Sequence, residues 1–366
     1  MRNFKLPKKD EINSVFHSFS RKEWIVFFVL LAIFCISTIA ILESINKSLM
    51  VKIPFRGGSI SEGIIGAPRF INPLLVNPNS PADQDMVALI YSGLMRKNAD
   101  GTLTPDLAEK YTVSKDGLTY TFTLRKNIYF QNEDSVTADD VVFTINKAKD
   151  SIIKSPRKVD WDGVIVRKIN DTTIEFTLKQ PFSSFLENAT LGIMPASIWS
   201  DSAIELNTAN TAPIGSGPYM IKSVAKESSG VINSYELTAF KKFALGEPYI
   251  NTINMYFYGS EKDLLQALEN KKIDQASSIT PLDADILKER NFLVKSSVLP
   301  RVFGLFFNQN QNQLFTDKIV IQAIDQAIDK DKIVREVLFG YGVAIDGPIP
   351  PNMLAYQTLS QGDKPT

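Results

Sequence analysis

From Trp24 to Leu42 the sequence reads WIVFFVLLAIFCISTIAIL, without one charged side chain. Wound into a helix at ~1.5 Å per residue, such a run covers the ~30 Å hydrocarbon core of a bilayer. Everything after it is mixed in polarity, so the chain reads as one membrane-crossing helix with a large water-exposed body behind it. Arg2, Lys5, Lys8, Lys9, Arg21 and Lys22 precede the run, whereas the next bases after it, Lys47 and Lys52, are opposed by Glu43. The positive-inside rule then puts residues 1–23 in the cytoplasm, the anchor at 24–42, a linker at 43–58, and the body outside, in a periplasm or at the cell surface. The rival reading is a cleaved signal peptide, whose apolar core usually spans ~7–15 residues and ends in a small-x-small site. Ile41-Leu42-Glu43-Ser44-Ile45 offers no such site, and a single uncleaved span is the reading adopted. Cys35 follows Ala32, Ile33 and Phe34 rather than the small pair of a lipoprotein signal, and reads as a small apolar residue in lipid.

Composition removes several function classes. The chain has 366 residues, enough for two or three lobes beyond the anchor, and a formal net charge of zero, which gives no reason to expect a nucleic-acid partner. Cys35 is the only cysteine, so no intrachain disulfide can form. His17, the only histidine, lies on the cytoplasmic side of the run. The body therefore has neither His nor Cys, which excludes Ser-His-Asp and Cys-His nucleophile systems and His- or Cys-bound zinc. No G-x-x-x-x-G-K-[ST] sequence occurs. No catalytic residue, metal site or cofactor is expected.

Strand and helix patterns are intermixed, which gives an α/β (mixed α+β) class. Segment 59–66 reads as an extended strand leading into Ala67-Pro68-Arg69-Phe70-Ile71-Asn72-Pro73. Met86, Leu89, Ile90 and Leu94 fall at helical spacing over 82–95. Leu118, Tyr120, Phe122 and Leu124 alternate with polar residues, as do Ile174, Phe176 and Leu178, and Asp116-Gly117 turns the first of these back on the strand holding Tyr111 and Val113. Thr137 with Asp140, and Ser260 with Asp263, mark helix starts. An amphipathic helix is expected from Asp317 to Phe339, interrupted near Asp329–Asp331 and stopped by Gly340, with Val320, Ile324 and Ile328 on its apolar face.

Several of these segments, in order, resemble the bacterial extracellular solute-binding proteins of family 5, the dipeptide and oligopeptide receptors of ABC importers. Gly66 to Pro73 is similar to the family's "G-x-P-x-x-L-D-P", Ile90 to Leu94 to "v-y-E-G-L", and Pro105 to Glu109 to "P-x-L-A-E". Thr119 to Lys126 followed by Val136 to Val141 is similar to "Y-T-F-x-L-R-x…V-T-A-x-D-V", and Gly215 to Tyr219 to "G-T-G-P-Y". Asn308, Phe315 to Ala323 and Ile328 to Lys330 resemble the later "f-N…f-x-D-x-x-V-R-x-A…i-D-R". The likeness runs from about residue 59 to 354. It departs at Gln131-Asn132-Glu133-Asp134-Ser135, which lacks the family's glycine, and at Gln322, where the family has arginine.

The resemblance implies a periplasmic-binding-protein-like two-lobe cleft fold with an inserted domain. Residues 59–93 and 196–292 would form lobe I, 94–195 the insertion, and 293–366 the start of an incomplete lobe III. Relatives usually continue far past this length, and the aspartate that pairs with a peptide's amine lies in their later part, so no position here inherits it. If that part supplies the partner layer, Val320, Ile324 and Ile328 are expected to face water.

The implied function is capture of di- or oligopeptides by a monomer that closes around them and docks on a membrane permease, energised by a separate cytoplasmic ATPase. Gly66, Ala67, Pro68 and Arg69 are the expected ligand-binding stretch, offering backbone groups to a peptide, with Arg69 either pairing a carboxylate or solvated. Ser277 and Ser278 either bond a peptide or end a strand. Arg301, Val302 and Phe303 begin the next expected strand, with Phe303 assigned chiefly to the core. Tyr91 and Trp161 are either aromatic walls or buried, burial being the plainer reading. Gly215-Ser216-Gly217 reads as a turn using the positive φ open to glycine, or as a crossover returning from the insertion. Rival functions are a ligand sensor or scaffold, or a receptor for nickel, heme or an oligosaccharide. The absence of histidine from the body counts against nickel and heme.

Overall fold

The computed structural model describes residues 20–50, 55–182, 184–200, 203–297 and 302–347. His17 and Arg301 lie outside the described residues, as does the chain beyond 347. There are two compact units, Met1–Phe55 and Arg56–Thr366.

In the first unit, helix α1 (Arg21–Leu49) opens on a capping box: the Glu23 N–H donates to Ser20 Oγ and the Ser20 N–H donates to Glu23 Oε2. It is long and apolar enough to cross a membrane, a property it shares with signal sequences. The helix runs to Leu49, well into the stretch read as linker. Glu43 marks where charge returns, but Glu43 to Leu49 contains no Gly or Pro to end a helix.

The second unit is mixed α/β. Strand β1 (Ser59–Ile65) is followed by helix α2 (Pro81–Ile90), a small hairpin of β2 (Met95–Lys97) and β3 (Leu103–Pro105), and strands β4 (Ala108–Val113) and β5 (Thr119–Leu124). Helix α3 (Ala138–Lys149), β6 (Ile165–Asn170) and β7 (Thr173–Thr177) come next. Strands β8 (Tyr219–Lys226), β9 (Ile232–Ala239) and β10 (Thr252–Tyr258) lead to helix α4 (Glu261–Glu269), β11 (Gln275–Ala276) and helix α5 (Pro281–Glu289). Helices α6 (Lys318–Ala327) and α7 (Lys330–Glu336) close the described chain.

One sheet has the order β11-β1-β10-β9-β8, with β1 parallel to both β10 and β11 and the other pairs antiparallel; a second has the order β4-β5-β7-β6, all antiparallel. The alternation expected for β5 and β7 is observed: Tyr120, Phe122, Leu124, Ile174 and Phe176 are buried. A single hydrophobic cluster takes in Phe122 and Phe176 of the second sheet together with Tyr235 and Met255 of the first. Tyr91 and Trp161 belong to that cluster, and the Trp161 ring lies 5.8 Å from both Phe176 and Phe185.

Helix α2 is shorter than its apolar spacing indicates. It stops at Ile90, and Leu94 is buried in the following loop. The stop coincides with a crossing of chain segments on the Ile90 carbonyl. That oxygen accepts from the Gly217 N–H at 2.8 Å and from Gln131 Nε2 at 3.2 Å. Gln131 Nε2 also donates to the Tyr219 carbonyl at 2.7 Å, Gln131 Oε1 accepts from the Gly215 N–H at 3.0 Å, and the Gln131 N–H donates to the Gly215 carbonyl at 2.8 Å. A Cβ at Gly215 would collide with the Ile90 carbonyl oxygen, and one at Gly217 would lie 2.6 Å from the Ile90 carbonyl carbon. Neither glycine has a positive φ. The glycines are there for close approach, not for the turn conformation the sequence indicates.

The helix expected over 317–339 is interrupted as anticipated, at Ile328-Asp329, where Asp329 caps α7, and it ends at Glu336 rather than Phe339. Residues 302–307 form no strand, and Phe303, assigned to the core, is 80% exposed. Val320, Ile324 and Ile328, expected to face water, are half-buried. The apolar side chains that do stand in water are others, among them Leu305, Phe306, Ile319 and Val337, and none of the described residues of 302–347 is buried.

Two outcomes follow from this packing. Gly215→Ala is expected to lower the unfolding free energy by about 2–4 kcal/mol, since the obstacle is backbone, whereas Gly259→Ala, whose Cβ meets nothing within 4 Å, stays near neutral; chemical denaturation of the two variants checks this. Amide hydrogen exchange should be slow across β5, β7 and β10 and fast throughout 302–347, where backbone bonds lack a covering core.

Candidate functional site

The three strands that run parallel end on one side of their sheet. Ile65, Tyr258 and Ala276 are the last residues of β1, β10 and β11, and the registers Ile65↔Tyr258 and Gly63↔Ala276 set those ends side by side. In open α/β sheets the carboxyl ends of parallel strands are where ligands gather. The chain leaves β1 directly into Gly66-Ala67-Pro68-Arg69, and leaves β11 directly into Ser277-Ser278. The structure thus starts the two expected stretches at the ends of neighbouring strands: the Ser277 N–H donates to the Gly63 carbonyl of β1 at 3.1 Å, and the Gly66 N–H donates to the Tyr258 carbonyl of β10 at 2.9 Å.

Local chemistry shapes this edge. Gly66 has φ +81°, and with nothing within 4 Å of its Cβ position, it turns the chain off the sheet into open space. The Arg69 N–H donates to Asp83 Oδ1 at 2.7 Å, which ties the loop to the first turn of α2. Pro68 has no N–H. Among the described residues, the Ala67 N–H and the carbonyls of Gly66, Ala67 and Pro68 carry no hydrogen bond. The exposed Arg69 guanidinium lies 5.1 Å from the centre of the Phe70 ring and makes no ion pair among the described residues. Ser277 Oγ is buried without a hydrogen-bond partner there, and Ser278 adopts φ +58°. Phe303 lies on the exposed stretch after 302, and Arg301 is outside the described residues, so neither is placed at this edge.

The rest of the 66–73 motif is internal. Asn72 is fully buried; its Nδ2 donates to Asn210 Oδ1 at 3.0 Å and its Oδ1 accepts from the Leu74 N–H at 2.9 Å. The longer motifs are likewise scaffolding. Arg125 Nε donates to the Asp106 carbonyl at 2.7 Å, which joins the Thr119–Lys126 stretch to Pro105–Glu109. Asp140 accepts from the Thr137 N–H at 2.9 Å to cap α3 and from the Ala196 N–H at 2.9 Å to hold the chain returning from β7.

The sequence reading passes over one pair of carboxylates. Glu62, on β1, accepts from Gln275 Nε2 of β11 at 2.8 Å. Asp85, on α2, is pushed up to about 6, first by burial and then by the negative charge of Glu62. Only the packing of α2 on β1 brings them near, so no spacing in the sequence signals them. Among the described residues no group of three or more His, Cys, Asp or Glu side chains is arranged to hold a metal ion.

Residues 102–366 match the family described as bacterial extracellular solute-binding proteins, family 5 middle. The dipeptide-binding protein of Escherichia coli K12 is 28% identical over 318 residues, covering 80% of this chain and 58% of that protein. The glutathione-binding protein GsiB of the same strain is 27% identical over 290 residues, covering 76% and 54%. The chain thus spans little more than half the length of these curated relatives. Among solved structures, the oligopeptide-binding protein AppA of Bacillus subtilis, in complex with a nonapeptide, is similar with a TM-score of 0.66 and 27% identity, covering 83% of this chain and 60% of that one. NikZ of Campylobacter jejuni, in complex with Ni(L-His), gives a TM-score of 0.65 and 26% identity, covering 79% and 57%.

Asp85 supplies a pH test. Its carboxyl ionises near the ordinary 3.8 in the unfolded chain and about 6 in the folded one, so the folded state loses stability as pH rises between these values and carries the full cost above them. Asp85→Asn is expected to stabilise the chain at pH 8 by roughly 1–2 kcal/mol, since water screens part of the cost at a half-buried carboxyl, and to change little at pH 4. Denaturation curves at the two pH values check it.

Proposed function

Because the chain belongs to the bacterial extracellular solute-binding proteins of family 5, we propose that its body is the ligand-capturing part of an ABC importer's receptor and that the ligand is a peptide. The observation that carries this reading is that Gly66–Arg69 and Ser277-Ser278 leave neighbouring parallel strands on the same side of the sheet. A stretch with one N–H and three carbonyls that bond nothing among the described residues can receive an extended peptide through its backbone, which leaves ligand side chains largely unread. Arg69 would take a ligand carboxylate and Ser277 would supply a hydroxyl. Arg301 and Phe303 would join from the opposite wall when the lobes close by hinge motion.

In this reading residues 59–93 and 196–292 form one lobe, 94–195 the insertion and 293–366 the start of the third. Helix α1 is an uncleaved anchor with the N-terminus in the cytoplasm. The monomeric body works outside, makes and breaks no bond, and passes ligand to a permease driven by a separate cytoplasmic ATPase. The relatives' peptide ligands and the absence of histidine from the body favour peptide over nickel.

Trp161 and Trp199 are both almost fully buried, so titration calorimetry reports binding better than intrinsic fluorescence. The full chain in detergent is expected to bind a mixture of short peptides saturably and not nickel ions. Arg69→Ala should weaken binding roughly tenfold, the scale of one lost charge-assisted hydrogen bond. Binding of nickel–histidine but no peptide would overturn the ligand class; binding of neither would remove the site.

A further inference from the structure

The loop from Phe240 to Asn251 closes the end of the body at which the chain enters it. The Gly57 N–H donates to the Tyr249 carbonyl at 2.7 Å, the Thr252 N–H to the Gly58 carbonyl at 3.3 Å, and Tyr219 Oη to the Ile250 carbonyl at 3.0 Å. Arg56 pairs with Glu247 at 3.2 Å and lies 5.8 Å from the centre of the Tyr249 ring. So fixed, the loop still leaves Leu245, Tyr249 and Ile250 38%, 56% and 37% exposed, close together in sequence on the same loop. Scattered apolar residues at a surface need no explanation, but these sit where the entering chain is clamped.

Helix α1 ends at Leu49 and the body begins at Arg56. The residues between them, Met50 to Phe55, reach no more than about 20 Å even when fully extended. If α1 is an anchor, its uncharged run ends at Leu42 and Glu43 to Leu49 continue as helix for about 10 Å, so the clamped end of the body cannot leave the membrane surface by more than about 30 Å. A tether this short makes any contact with lipid intramolecular, so a weak affinity suffices.

From this geometry we infer that the 241–250 loop is a membrane-contact surface, with Leu245, Tyr249 and Ile250 resting in the phospholipid interface; the inference rests on the anchor reading of α1. Tyr with aliphatic neighbours is the composition that settles at headgroup depth. Three side chains are too few for a stable protein interface, which takes ~800 Å² per partner, but enough for shallow interfacial contact. Lys242 pairs with Glu133 at 2.9 Å and Arg56 with Glu247, which leaves Lys241 as a single net positive charge, so the contact does not require anionic lipid.

The test uses the full chain with Cys35→Ser, reconstituted in phosphatidylcholine vesicles that contain a headgroup-quencher lipid. An environment-sensitive dye is attached at Lys241→Cys or, as control, at Ser229→Cys. Ser229 lies in the β8–β9 turn, at the other end of strands about 25 Å long. Quenching is expected to be several-fold stronger at 241 than at 229, and to fall to the control level with Leu245→Ser, Tyr249→Ser and Ile250→Ser combined. Equal quenching at both sites, quenching that survives the triple change, or quenching that appears only with a co-reconstituted permease would overturn the inference. Alkaline extraction separates the two levels: a chain that washes off refutes the anchor, whereas one that stays inserted with an unquenched 241 refutes only the loop.

Discussion

The carbonyl oxygen of Ile90 is the point on which the body's arrangement depends. It ends helix α2 and receives the Gly217 amide and the Gln131 side chain, so three distant stretches of chain meet there. Gln131 is buried and uses both its amide nitrogen and its oxygen, so removing any partner would leave a polar group unpaired in the core. The same junction connects the two sheets, whose inner faces share one hydrophobic cluster.

With that junction fixed, the parallel ends of β1, β10 and β11 face the same way and present loops rather than side-chain chemistry. The edge has a guanidinium, a buried hydroxyl and free backbone groups, and the body has no His or Cys. Such a set can hold a ligand by hydrogen bonds and charge but provides no nucleophile activated in the usual ways.

The later part of the described chain has a different character. From 302 to 347 helices form and caps are made, yet large apolar side chains remain in water. Local hydrogen bonding and capping are satisfied there without a buried layer, a separation of secondary structure from packing that the amphipathic pattern of Lys318–Ala327 leads one to expect.

The sequence by itself determined what depends on neighbouring residues. Period-two alternation located β5 and β7, Thr137 and Ser260 located two helix starts, and an uncharged run located a helix long enough to span a bilayer. Ordered motifs also carried the family. What only the tertiary structure decided are matters of contact between distant segments. The carbonyl of Ile90, where α2 stops, is met by Gly217 and Gln131 arriving from far along the chain. Gly215 is glycine because a carbonyl lies against it, and Asp85 is perturbed because α2 packs over Glu62. The motifs that identified the family turned out to be mostly caps and braces, as with Arg125 and Asp140, since bonds from side chain to distant backbone restrict residue choice as strongly as a ligand does. That Gly66 and Ser277 would leave neighbouring strands was not legible, because strand order is set by which apolar faces bury one another, and spacing along the chain does not encode it.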